Sequence, residues 1–207
     1  MDKTSKLFDV WAKSGRSEDM EKGHGTTVNQ FLDKLSLKRN FRFLDIGCGN
    51  GWVVRKMSQH SSCIKAIGID KSKMMINNAK SKISSDKENY FVTELETWKT
   101  KEKFDIIFSM ESLYYSVPME PALEKVFKLL KKNGIFYCGT DFYSDNVLTT
   151  RWIKDMNIPM DLRSEKEWKK MFKEIGFSTR SKHVTDPKNK LKWKREFGTL
   201  FVIGRKP

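Results

Sequence analysis

Apolar positions in this chain recur in two rhythms that exchange places along its length. Helical spacing comes first, with Leu7, Phe8 and Trp11, then Val28, Phe31, Leu32 and Leu35; the polar, glycine-bearing stretch Ser14 to Thr27 between them reads as a loop. Short apolar runs that suit buried strands then alternate with helix-compatible segments. Strands are predicted over 41–46, 63–70, 90–98, 104–109 and 135–140, and helices over 52–57, 74–83 and 121–130, the last with Gly134 as its stop. A further helix is predicted over 147–156. Ser164 and Glu167 form a capping box for another that ends near Ile175 at Gly176. Two final strands, 178–185 and 196–203, enclose a basic connection carrying Pro187. Strand alternating with helix predicts an α/β fold around a largely parallel sheet.

The sharpest local feature is Phe43-Leu44-Asp45-Ile46-Gly47-Cys48-Gly49-Asn50-Gly51, an apolar run that ends at an acid and opens into three glycines at alternate positions. Strand, tight loop and helix follow in order, so free N–H groups at the helix start would face a ligand that glycine lets approach the backbone. A dinucleotide fingerprint needs glycine at the first, third and sixth positions, and Trp52 occupies the sixth, which argues against NAD. Asp70 ends the second strand, where an acid accepts hydrogen bonds from the hydroxyls of a ribose. Both NAD and S-adenosylmethionine (SAM) carry that ribose. An ordinary strand-to-helix turn without a ligand is the plain alternative for the glycines.

Composition narrows the class. A chain of 207 residues with 14 Phe and 6 Trp is long enough for one domain with a real core. It has no long apolar run and its first residues lack the apolar centre of a signal peptide, so a cytoplasmic protein without a transmembrane segment is expected. Cys48, Cys63 and Cys138 have no metal-like pairing, and His24, His60 and His183 are scattered, so neither a disulfide scaffold nor a metal is expected. The net charge is +14. Half of it lies in residues 180–207, where nine Lys/Arg face two acids; Lys190, Lys192, Lys194 and Arg195 around Trp193 come nearest to a nucleic-acid contact, although a solvated basic surface is the simpler reading.

The run from Phe43 to Gly51 resembles motif I of the class I SAM-dependent methyltransferases. Gly68-Ile69-Asp70 resembles their motif II, Phe104-Asp105 resembles the pair that begins their central strand, and Leu129 to Gly134 resembles their glycine turn with Lys132 in place of proline. The resemblance spans residues 40–140. It implies a single domain over 1–207 with a Rossmann-like seven-stranded mixed sheet of order 3-2-1-4-5-7-6, helices on both faces, a helical cover over 1–40 and a substrate-covering insertion over 141–163. It also implies SAM as cofactor, met by Asp45, Gly47, Cys48, Gly49, Gly51 and Trp52 in the turn. Asp70, Lys71 and Met75 follow the second strand, Glu94 and Leu95 the third, and Ser109 and Met110 close the fourth. Asp45 is assigned to the methionine end, Asp70 to the ribose and Glu94 to the adenine amino group.

Methyl transfer from a sulfonium is a direct displacement that needs an in-line nucleophile and exclusion of water. Where the acceptor must lose a proton, His24, Glu111, Tyr115 and Asp141 are the candidate bases. Glu111 and Glu120 do not match a paired-glutamate guanidinium clamp, because Met110 intervenes and Glu120 suits the first turn of a helix. A small-molecule acceptor is expected. RNA, a protein, or a catalytically silent partner role are the alternatives; neither an Asp/Asn-Pro-Pro-aromatic signature nor a Pro-Cys nucleophile is present, and the oligomeric state is not readable.

Overall fold

The computed structural model describes residues 3–35, 37 and 39–207; the extreme N-terminus, Met1 and Asp2, lies outside the described residues. Seven strands form one sheet of order β3-β2-β1-β4-β5-β7-β6. β1 (Phe41–Ile46), β2 (Cys63–Asp70), β3 (Glu88–Val92), β4 (Phe104–Met110) and β5 (Leu130–Thr140) run parallel. β6 (Ser178–Val184) and β7 (Thr199–Arg205) close the sheet antiparallel, as the resemblance implied. Strand order reverses between β1 and β4. Their carboxyl ends open the crevice in which sheets of this type bind ligands.

Helices cover both faces. α2 (Arg16–Leu32), α3 (Trp52–Ser58) and α4 (Lys73–Lys80) bury Phe31, Val54, Met57 and Ile76 on one side. α5 (Glu120–Leu129) and α7 (Glu165–Ile175) bury Leu123, Val126, Trp168 and Phe172 on the other. The Ser164–Glu167 capping box and the left-handed Gly176 stop form as read from the sequence. α1 (Lys3–Lys13) docks on α4: Asp9 accepts hydrogen bonds from Ser72 Oγ at 2.6 Å and from the Met74 amide at 3.2 Å.

Three sequence expectations are corrected. The segment 14–27 is helical: α1 and α2 break only at left-handed Gly15, and α2 runs on through Gly23 and Gly25. Its stripe Ser17, Glu21 and His24 sits at i, i+4 and i+7, so the helix is amphipathic in the opposite sense there, turning a polar face inward to a cavity. Gly134 does not cap a helix. α5 passes at Leu129 straight into β5, where Asn133 takes the left-handed turn and the Asn133 and Lys206 amides pair across to the Lys206 and Gly134 carbonyls. Of the helix expected over 147–156 only α6 (Trp152–Met156) forms. Asn146 Nδ2 and Thr149 Oγ1 both donate to the Asp141 carbonyl, at 2.8 and 2.9 Å, and hold a turn in place of the first helical residues. The basic connection before β7 also carries a short helix, α8 (Lys192–Glu196).

Candidate functional site

A cavity of about 350 Å³ opens at the carboxyl ends of β1, β2 and β4 under α1 and α2, within the size range of small-molecule sites. Its floor is the glycine turn. Gly47 has φ +69°, and a Cβ there would stand 2.0 Å from Ser112 Oγ, so both backbone sign and space require glycine. Gly49 differs: nothing lies within 4 Å of where its Cβ would be, and its backbone faces open cavity. Its N–H donates to Asp70 Oδ2 at 3.0 Å, while the Ser72 amide donates to Asp70 Oδ1 at 2.8 Å. Each oxygen keeps a lone pair for a further donor.

Burial and the neighbouring charge of Asp70 push the Asp45 carboxyl well above the usual carboxylate range. A cationic or N–H-bearing group beside it would relieve that cost. Trp52, Cys48, Lys71, Met75, Glu94, Leu95 and Met110 also line the cavity, as does Asp45. Glu94 is exposed, whereas Met75 and Leu95 are buried and give that end an apolar wall.

Ser109 is not among the lining residues. It sits inside β4 between Ile46 of β1 and Cys138 of β5, fully buried, and its hydroxyl has no hydrogen-bond partner. Its place is in the sheet, because alternation along β4 sends Phe108 and Met110 to the cavity instead.

The opposite wall holds the acid–base candidates. Glu111 follows β4 with φ +53°, a strained backbone for a side chain of its size, and its N–H is tied to the Gly139 carbonyl at 3.0 Å. Its carboxyl accepts from the Asp141 amide and, at 3.0 Å, from Tyr114 Oη. Burial, then the charge of Asp141, raise Glu111 to about 8. Tyr115 packs edge-on against Phe8 of the cover, ring centroids 5.3 Å apart, and burial keeps its phenol protonated far above neutral pH. It is therefore a lining group and a poor base.

Asp141 does not reach the cavity. Its carboxylate lies behind Glu111, wholly buried, with Lys194 Nζ at 2.6 Å and Thr199 Oγ1 donating at 2.6 Å. As a general base it is corrected: a carboxylate held low by an ammonium partner and shielded from the cavity cannot collect a proton there. The segment 141–163 contributes no lining residue either. It packs Trp152 against Phe142 and Trp193.

His24, by contrast, lines the cavity, with burial first and the charge of Lys194 second lowering it to about 4. Sequence reasoning passed over Ser17, Glu21, Asn50, Ser112 and Lys194. Asn50, 2% exposed, joins the turn to the cover by donating from Nδ2 to Glu21 Oε2 at 2.8 Å, and its carbonyl accepts from Arg55 at 2.6 Å. The i, i+4, i+7 spacing in α2 was the available signal. Lys194 falls in a basic run that reads as a solvated surface, yet it is 1% exposed. Arg195, beside it, spends its guanidinium on the Asn189 and Lys190 carbonyls.

The methyltransferase-domain family model matches residues 18–182. The chain belongs to the class I SAM-dependent methyltransferases. Among its relatives, the ubiquinone biosynthesis O-methyltransferase of Pelagibacter ubique is 38% identical over 104 residues, covering 49% of this chain and 42% of that protein. The sterol 24-C-methyltransferase of Candida albicans is 24% identical over 179 residues, covering 77% and 46%. The methyltransferase thus spans about half the length of the curated relatives it matches. A chain of the complex between the Haloferax volcanii Trm112 methyltransferase activator and a methyltransferase superposes with a TM-score of 0.90 at 25% identity, covering 97% of each chain. The Synechocystis magnesium protoporphyrin IX methyltransferase, solved with bound SAH, shares the fold at a TM-score of 0.73 and 16% identity. SAM is the cofactor of this methyltransferase, and the cavity suits it: an acid whose oxygens each keep a lone pair for a further donor, a glycine with open space beside it and a buried acid all line one crevice. No helix among the described residues is long and apolar enough to cross a membrane.

Proposed function

We propose that this methyltransferase moves the methyl group of SAM to a small-molecule acceptor. The observation that carries the reading is the roofed cavity, with α1 and α2 over it and Glu111 on its wall. Bound SAM supplies an electrophilic methyl on a sulfonium. Asp45 would hold the methionine end, Gly47 and Gly49 its backbone contacts, Asp70 the ribose hydroxyls, and Met75 and Leu95 the adenine faces; Gly51 is not among the lining residues and packs instead against Tyr90 and Ala79. α1 and α2 exclude water, anchored by Asp9 on α4 and by Glu21 on Asn50.

Glu111 would take the acceptor's proton. It is the candidate whose carboxyl both lines the cavity and titrates near neutral pH. Labelled methyl transfer from SAM into a cell extract separated by size tests the reading: label in the small-molecule fraction supports it, and label confined to RNA or protein overturns it.

A second reading concerns a partner. The fit to the Haloferax chain, solved with an activator, favours association of this methyltransferase with a Trm112-like protein. The edge strand β3 suits such a partner, with Phe91 43% and Val92 49% exposed beside an open ladder of backbone groups.

A further inference from the structure

Lys194 enters the protein interior from α8 and stands between two elements. Its Nζ is 2.6 Å from Asp141 Oδ2 at the end of β5 and 3.0 Å from His24 Nδ1 on the roof helix α2. Asp141 is held on its other oxygen by Thr199 of β7, whose Oγ1 lies 3.3 Å from Thr27 Oγ1; Thr27 in turn donates to the His24 carbonyl at 3.1 Å. The His24 backbone is thus tied within its own helix, and the imidazole meets a buried ammonium at 3.0 Å. A lysine ammonium has donors and no acceptor. A ring nitrogen 3.0 Å from it must present a lone pair, and in an uncharged imidazole the proton then belongs to the other nitrogen.

We propose that Lys194 is a positioning residue that fixes His24 in the Nε2–H tautomer, so that the roof of the cavity offers a hydrogen-bond donor to the methyl acceptor. This rests on the methyltransferase reading for its purpose, and on the buried Asp141–Lys194–His24 chain for its geometry. It gives the group on the roof and the group on the wall opposite jobs. His24 donates to a lone-pair-bearing atom of the acceptor, a hydroxyl, carbonyl or carboxylate oxygen, and Glu111 receives the proton. It also gives Lys194 a role that a nucleic-acid-binding surface cannot supply, since the side chain is closed to solvent.

Nitrogen-15 NMR of the histidine rings reads the tautomer directly in the protein without donor or acceptor. At pH 7 the wild type is expected to show His24 with a protonated Nε2 and an unprotonated Nδ1. Lys194→Met leaves Asp141 without its cation and risks unfolding, so the double variant Asp141→Asn/Lys194→Met removes both charges together. In that variant the fixed tautomer should give way to a mixture, with His24 titrating at higher pH, while Lys194→Arg retains the wild-type signature. A wild-type His24 protonated on Nδ1, or an unchanged His24 signature in the folded double variant, overturns the proposal. A protein that shows the tautomer but binds no SAH would sink the functional reading and leave this one standing.

Discussion

Tyr114 Oη donates to Glu111 Oε2 at 3.0 Å, from the residue three places further along the same loop. That bond, with the Asp141 amide on the other oxygen, holds a strained Glu111 at the cavity wall. A carboxyl raised to about 8 is mostly protonated at pH 7 and becomes a base as pH rises. The rate of methyl transfer should climb roughly tenfold per pH unit below about pH 8 and level off above it. Glu111→Gln should flatten that profile and lower kcat by about 100-fold or more, with SAM binding little changed. A pH–rate profile of both proteins checks it.

The same group has a stability signature. The folded protein holds the Glu111 proton more tightly than the unfolded chain does, so its contribution is complete below about pH 4.5 and is lost as pH rises through about 8. His24 works in the opposite direction. Its folded value near 4 lies under the unfolded 6.5, so its contribution is complete above 6.5 and is lost as pH falls through 4, up to about 3 kcal/mol in all. Lys194 and Asp141 are the charges that face it. His24→Gln should remove the acid-side loss in denaturant titrations at pH 4 and pH 7.

Gly47→Ala should destabilise by about 2 kcal/mol or more, since its Cβ would overlap the Ser112 side chain at a backbone angle that L-residues avoid. Adding Ser112→Gly should return part of the loss, leaving the conformational share. Urea denaturation of the single and double variants separates the two.

Phe91→Glu on β3 should abolish co-purification of a co-expressed Trm112-like protein while leaving SAH affinity within about twofold, because its side chain is exposed and is not among the cavity's lining residues. Retained co-purification would remove the β3 edge as the docking strand.

Legibility followed physical cause. The strand-turn-helix around Gly47 to Gly51 and the acid at Asp70 were readable because their chemistry is local: φ signs, a carboxylate at a strand end and an apolar run each lie within a few residues. The α2 helix was misread because its inner face is polar; the cavity, not the core, sets the pattern at Ser17, Glu21 and His24. Asp141 and Lys194 are 53 residues apart in sequence, and only the β5–β7 pairing brings them together. A lysine in a basic run carries no local mark of burial. Ser109 reads as a cofactor contact beside Met110, and strand alternation turns it into the sheet instead.

The central claim is that the crevice beside Gly49 and Asp70 is a SAM site. Isothermal titration of SAH into the wild type and into Asp70→Ala tests it most directly. The wild type should bind with one site per chain, Asp70→Ala should bind about 10- to 100-fold more weakly, and NADH should not bind either protein. Undiminished SAH binding by Asp70→Ala, or a tight NADH complex, would contradict the account.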